Sequence, residues 1–264
     1  MEIAGYIAAV LIGLSLGLIG GGGSILTVPV LVYLMHIHPV LATTYSLFVV
    51  GSCSLVGGTK AYFKGFVDFY TVLYFGISCM VSVFLVRHYL VPEIPDQIST
   101  IGHTVLTKDI FLMLLFAVLM LMAALSMIRG NGKKEEEPVR NNTRTVRLIL
   151  QGTFVGIVTG LLGAGGGFLI VPALVLLSRL PMKTAIGSSL TIIAISTLFG
   201  FFSTLSHYTI NWLQLLIFTA IAVLGIFIGS SLSDKIPGSA LKKGFGWFVM
   251  AIWIFILVKE IFFA

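Results

Sequence analysis

The residues of this 264-residue chain best placed to do chemistry are glycines in unbroken runs. Gly20, Gly21, Gly22 and Gly23 stand together in an apolar segment and are followed by Ser24. A second apolar segment carries Gly163, Gly165, Gly166 and Gly167, with Ala164 set among them. Without a Cβ, the backbone takes positive φ and lets another group approach closely. Where a helix restarts after such a break, its first amides lack intrahelical partners and carry the positive end of the dipole. That is a way to hold an anion without a charged side chain. The plainer role of glycine at depth is close helix packing, and Gly13 and Gly17, four residues apart, fit that role alone.

Hydroxyls form a second set. Ala42-Thr43-Thr44-Tyr45-Ser46-Leu47 and Ala185-Ile186-Gly187-Ser188-Ser189-Leu190 occupy matching places further along each half. Ser46 and Ser189 coincide and are the stronger candidates; Thr43, Thr44, Ser188 and Thr191 are secondary. Such hydroxyls either donate to a bound oxygen or return their protons to the helix that carries them. Pro29 and Pro172 follow the two glycine runs at equal distance and read as hinges.

The elements that position these groups come in two copies. Residues 13–32 and 156–175 agree at 11 of 20 positions at a constant offset of 143, including five glycines and the proline. The offset continues without a gap through Ala42/Ala185, Leu55/Leu198 and Gly57/Gly200, so several spans are duplicated. Apolar residues make up 58% of the chain and charged ones 10%, against about a quarter charged in soluble domains, and residues 3–59 carry no Lys, Arg, Asp or Glu. The expected fold is an all-α polytopic membrane protein. Residues 1–128 form a first transmembrane repeat, 129–147 a charged cytoplasmic linker, and 148–264 a second repeat.

Each glycine-broken run is too long for one straight crossing. Residues 3–35 would make a helix of roughly 50 Å against a hydrocarbon core of about 30 Å. As single kinked crossings, the runs leave 9 Lys/Arg inside and 7 outside; as re-entrant hairpins, they leave 13 inside and 3 outside. The positive-inside rule prefers the hairpins. Each repeat is then a re-entrant hairpin plus three transmembrane helices, the two repeats are inverted, and both termini lie outside. Helix breaks of this kind, paired in inverted halves, point to a transporter's binding site near the midplane.

Several classes drop out. Acids sit only in loops or at span ends, so no mid-span carboxylate neutralises a cation or relays a proton, and a metal site is not expected. The net charge of +6 resides in short loops, where it orients the chain and does not indicate nucleic acid. Lys60 and Lys64 are read the same way. His36, His38, His103 and His207 fall near outer span edges and read as interfacial. Cys53 and Cys79 read as buried structural thiols. No enzyme constellation is present, so the chain is not expected to be an enzyme. The N-terminal apolar stretch is too long for a cleaved signal and reads as mature structure.

The doubled Gly-x-x-Gly-rich segment ending in proline resembles the TauE/SafE sulfite exporter family, the four-toluene-sulfonate-uptake group. His38-Pro39, the Ala-x-x-x-Ser-Leu runs, Lys64-Gly65-Phe66-Val67-Asp68 and Ser206-His207-Tyr208 extend that resemblance over essentially the whole chain. It implies a secondary transporter of small sulfur-containing oxyanions, with sulfite or organosulfonate export by alternating access as the leading expectation. It also implies no cofactor and a bacterial-type inner membrane; coupling to protons is left open. Ala164 departs from the family's second glycine run. An anion channel and a non-transporting membrane partner or assembly factor are the alternatives.

Overall fold

The structure, a computed structural model, describes residues 2–90, 97–101, 104–129, 142–162, 167–204 and 210–263. Helix α1 (Glu2–Ile19) ends at Gly20, whose φ of +82° only glycine adopts without strain. A 3₁₀ turn, Gly21–Gly23, leads into α2 (Ser24–Tyr33). Then follow α3 (Pro39–Phe63) and the helical span α4 (Phe69–Leu90), which contains π-helical turns at Val72–Gly76 and Val86–Leu90. After α5 (Lys108–Arg129) come α6 (Asn142–Leu162), α7 (Gly167–Leu176), α8 (Met182–Thr204), α9 (Trp212–Lys235) and α10 (Gly238–Phe263). Among the described residues, α3, α4, α8 and α9 contain stretches long and apolar enough to cross a membrane.

Two boundaries differ from the sequence reading. The chain is not purely helical: Gln97–Ile101 pairs antiparallel with Thr104–Thr107 between α4 and α5. Ile98, Thr100, Ile101, Thr104, Val105 and Thr107 are β-branched and favour an extended pleated pair. The charged linker is also shorter than expected, because α6 starts at Asn142 rather than at the apolar residues from 148 onward. The added turn is held by polar contacts to α4: Arg144 pairs with Asp68, and Thr145 bonds the Tyr70 hydroxyl. Asp68 caps α4 as well, accepting from the Tyr70 amide at 3.1 Å and from Thr71 Oγ1 at 3.0 Å.

Both glycine-broken runs double back. A Cβ on Gly23 would meet Ile12 and Ser15, and one on Gly5 would meet Met35, so α2 runs antiparallel along α1. Gln151 binds the Leu177 carbonyl (3.0 Å) and Ser178 (2.7 Å), so α7 returns along α6 in the same way. Each hairpin packs parallel to the last-but-one helix of the other half. Gly13 and Gly17 lie against Ala222 and Ile226 of α9; Gly156 and Gly160 lie against Cys79 and Val86 of α4. These glycines act as packing surfaces, as expected of the Gly13/Gly17 pair.

Helix α3 packs against its own counterpart, α8. The contacts Gly200–Leu47, Gly51–Leu198, Gly57–Leu190 and Gly187–Ala61 run in opposite directions along the two helices. Corresponding loops bond alike: the Asp68 amide donates to Ser188 Oγ (3.0 Å), and 143 residues later the Asn211 amide donates to Tyr45 Oη (2.7 Å). Asp68 and Asn211 are also the N-caps of α4 and α9. The core between the halves is filled by apolar side chains such as Phe75, Phe168, Phe218 and Phe245.

Candidate functional site

The two glycine breaks meet. A Cβ on Gly21 would overlap the carbonyl of Gly167, and a Cβ on Gly167 would lie 3.3 Å from Ser24 Oγ. Gly167 lies against Ile193, midway along α8. The first residues of α2 and α7 therefore face each other in the middle of the bundle. No side chain caps α2; its N-cap is Gly23. Ser24 Oγ donates back to the Gly21 carbonyl (2.7 Å), and the Ser24 amide donates to the same carbonyl, so both fix the 3₁₀ turn. A helix end buried at depth needs partners from protein or a wet cavity. Here the α2 end meets the opposing Gly167, and Gly167 also lines a cavity.

The sequence candidates distribute unevenly around this point. Gly20 lies against Ser189 and Val171, and Ser189 Oγ donates to the Ile186 carbonyl (2.8 Å). Gly22 is pressed by the Phe248 ring of α10, where a Cβ would sit 2.9 Å from the ring edge. Gly23 closes on Ser15 at the hairpin turn. Ser46 and Thr44 are buried in α3, and Thr43 lies on the same turn. Ser188 is fully buried and receives the Asp68 amide, while Thr191 Oγ1 returns its proton to the Gly187 carbonyl (3.0 Å). Pro29 and Pro172 sit inside α2 and α7, one turn beyond the breaks. Gly163, Ala164, Gly165 and Gly166 lie outside the described residues, as do His103, His207 and most of the linker.

Two cavities lead from the centre toward opposite ends. At the end bearing the basic loops, a cavity of about 40 Å³ is lined by Gly17, Gly57, Lys60, Lys64, Lys183 and Asp234. It is cross-linked: Lys64 pairs with Asp234, Lys183 Nζ donates to the Asp234 carbonyl (2.9 Å), and Lys60 Nζ reaches Ser230 and Ser231 (both 2.8 Å). Toward the far end, a cavity of about 360 Å³ lies between α4, α6, α7 and α8 and reaches Gly167. Its walls are mostly apolar, with Thr159, Ser196 and Thr197 among them and His88 at its outer part, stacked on Phe84.

Sequence reasoning missed two residues here. His88 was passed over among the histidines, yet it lines the far cavity. Thr159 looked like any threonine in an apolar helix. Its Oγ1 is buried without a hydrogen-bond partner among the described residues, a property shared only by Ser54 Oγ. Cys53 and Cys79 are buried and unpaired, as expected, and Cys79 lines the far cavity. No cluster of metal-ligating side chains occurs among the described residues.

The chain is similar to known proteins over nearly its whole length. A family model described as sulfite exporter TauE/SafE matches residues 6–256. A probable membrane transporter protein of Xylella fastidiosa (strain Temecula1) is 33% identical, over 95% of this chain and 92% of its own. One from Haemophilus influenzae is 26% identical over 94% of this chain and 95% of its own. The probable membrane transporter protein YunE of Bacillus subtilis is 28% identical over 87% of this chain and 89% of its own. No solved structure matches.

Proposed function

The chain belongs to the TauE/SafE sulfite exporter family and is a multi-pass membrane transporter; from that premise we propose that it moves small sulfur oxyanions, sulfite or an organosulfonate, outward by alternating access. The observation that carries this reading is the contact of Gly21 with Gly167, which sets the N-termini of α2 and α7 against each other at the centre of the bundle. Each helix N-terminus favours an anion by about 0.3–2 kcal/mol, the upper end holding for buried geometry. A desolvated anion needs more than one such term, and in this reading the two opposed helix termini supply it together.

The halves are inverted repeats in this reading. Its support is the antiparallel packing of α3 on its counterpart α8, together with the matched bonds of Asp68 to Ser188 and Asn211 to Tyr45. Rocking one half on the other would exchange the two mouths. With the basic loops in the cytoplasm and both termini outside, the wide far cavity opens outward and the cross-linked basic mouth is shut. Ser24 stands against Gly167 and Ser189 against Gly20, so these two hydroxyls flank the proposed site, with Ser46 as a further candidate.

The channel alternative is disfavoured by the same contrast, since a mouth of about 40 Å³ held by Lys64–Asp234 does not give continuous passage. The test is flux of radiolabelled sulfite and a short alkylsulfonate in proteoliposomes of the purified chain. Saturable movement with counterflow is expected. No movement of either anion, and no thermal stabilisation by them, would overturn the reading in favour of a non-transporting membrane partner; unsaturable conductance would favour a channel.

A further inference from the structure

We propose that the basic mouth is itself an anion site, in which Lys64 and Lys183 grip a small oxyanion in the place now held by the Asp234 carboxylate. The inference rests on the anion-transport reading above for the class of ligand. Three ammonium groups lie along one turn of α9. Lys60 Nζ bonds Ser230 and Ser231 Oγ (both 2.8 Å), Lys64 pairs with the Asp234 carboxylate, and Lys183 Nζ donates to the Asp234 carbonyl (2.9 Å). Only one of these partners is charged. Three lysines against one carboxylate leave the cluster with two uncompensated positive charges among the described residues. Asp68, on the loop after Lys64, is taken by Arg144. Lys60 and Lys64 also stand one turn apart at the end of α3, where like charges repel. Orienting the chain requires basic residues at one end; it does not require three of them, from α3 and α8, to converge on one cavity.

The hydrogen bonds say which lysines bind. An ammonium has three protons. Lys60 has three acceptors, the third being the Phe227 carbonyl at 3.4 Å, so it supplies charge rather than a free donor. Lys64 and Lys183 each spend one proton on Asp234, which leaves two on each without an acceptor among the described residues. The Phe66 ring, 5.9 Å from Lys183 Nζ, holds that side chain at the mouth. Asp234 shows what shape fits: one of its oxygens lies on Lys64 and another on Lys183, so several oxygens on one centre can span both ammoniums. The cavity of about 40 Å³ has room for about three waters, the size of a compact oxyanion. The resident carboxylate is also displaceable. Lys64 and Asp234 are 34% and 37% exposed, and a pair so wet is weak and screened. That pair ties α3 to α9, so an oxyanion that takes Lys64 undoes the tie as it binds. The cavity reaches Gly17, one turn before the break at Gly20.

The repeat does not copy this cluster. The 143-residue offset aligns Lys60 with Ser203, Lys64 with His207, Lys183 with Val40 and Asp234 with Val91. The site therefore belongs to one face, and its removal is felt on that face alone.

Sulfite flux in oriented proteoliposomes, measured from each face, tests this with the two partners of one ion pair. Lys64→Gln removes a grip on the anion, whereas Asp234→Asn removes the anion's competitor. Half-saturating sulfite at the basic face is expected to rise about three- to tenfold in Lys64→Gln and to fall about threefold in Asp234→Asn. Lys183→Gln should move with Lys64→Gln, and the far face should stay within about twofold of the parent in all three. A tie that binds no anion is released alike from either partner, so shifts of one sign in Lys64→Gln and Asp234→Asn overturn the site. Parent-like saturation in both lysine variants overturns it too. If Lys64→Gln does not fold, Lys183→Gln set against Asp234→Asn carries the same opposed expectation. Thermal unfolding in detergent separates a dissolved oxyanion from a lipid phosphate. Sulfite is expected to stabilise the parent more than Lys64→Gln or Lys183→Gln. Stabilisation by phosphatidylglycerol that needs both lysines, with sulfite inert, assigns them to a lipid headgroup and overturns the site. A parent that moves neither sulfite nor an alkylsulfonate, yet is stabilised by sulfite through these lysines, overturns the transport reading and leaves the mouth site standing.

Discussion

Gly57 and Gly200 hold the same place in the repeat, yet one lines the tight basic mouth and the other the roomy far cavity. Around them the mouths diverge in kind. The basic mouth is stitched by Lys60, Lys64, Lys183 and Asp234, side chains on three different helices. The far cavity is walled by apolar groups and hydroxyls and ends at His88. A duplicated backbone thus carries two sets of side chains, a cross-linked basic cluster at one mouth and an apolar wall with a few hydroxyls at the other. The difference teaches that matched backbone positions can carry unlike side chains, and in the transport reading proposed above that contrast is what would give the path a direction.

The comparison breaks most severely where the two halves touch at Gly21 and Gly167. A methyl group on Gly21 would overlap the Gly167 carbonyl, and backbone on both sides leaves little room to relax. Gly21→Ala is expected to abolish saturable sulfite flux and to cost several kcal/mol, more than the usual ~1–3 kcal/mol for overpacking a side-chain contact. Flux and thermal unfolding in detergent check both parts. Unaltered flux in Gly21→Ala would mean that the breaks are not the site. Gly22→Val is a poorer probe, because Phe248 stands against Gly22 and packing would fail along with transport.

Next in size is a contrast between two ion pairs at the basic end. Asp68 and Arg144 are 18% and 16% exposed, and Asp68 also caps α4. Asp68→Ala removes a cap worth about 1 kcal/mol and leaves a largely buried guanidinium unpaired, for a total loss of about 2–4 kcal/mol. Lys64 and Asp234 are 34% and 37% exposed, so Asp234→Asn is expected to change stability by only about 0–1 kcal/mol. Its effect should appear in conformation instead: a cysteine placed at Ala61 should react faster with a water-soluble thiol reagent in Asp234→Asn than in the parent. High salt should narrow that gap by screening the pair. Equal reactivity would remove the pair from any gating role.

How much of this was legible beforehand depended on whether a residue's meaning is local. The glycine runs, Pro29 and Pro172 announce a break wherever they occur, and the loop lysines and arginines already implied hairpins rather than kinked crossings. The spans are helical, and α1 and α2 fold back on each other. The early start of α6 was hidden because Asn142–Arg147 is polar, and only Asp68 and Tyr70, more than seventy residues away, make a helical turn favourable there. Ser188 shows the converse. Its type and place suggest a substrate donor, while the bond it accepts from the Asp68 amide depends on a residue 120 positions away and could not be read locally. Thr159 was invisible because what marks it is a missing partner, and absence of a bond is a property of the packed structure rather than of sequence.

The smallest effect is also the most direct measure of how the mouths differ. Alanine in place of a helical glycine gains up to about 1 kcal/mol in backbone terms wherever space allows. At Gly200 the nearest atom to a new Cβ is Leu47 Cδ1 at 3.5 Å, an ordinary contact. Gly200→Ala should therefore stabilise the chain by about 0.5–1 kcal/mol. At Gly57 the new Cβ would lie 2.7 Å from Ile226 Cδ1 and 3.1 Å from Leu190 Cδ1, and both side chains are buried. Overpacking of about 1–3 kcal/mol offsets the helix gain there, so Gly57→Ala should be neutral or destabilising by up to about 2 kcal/mol. Paired unfolding curves in one detergent give the difference with the shared backbone term cancelled. If the two substitutions shift stability alike, the mouths are equally spacious at corresponding depth, and the asymmetry between them resides in charge alone.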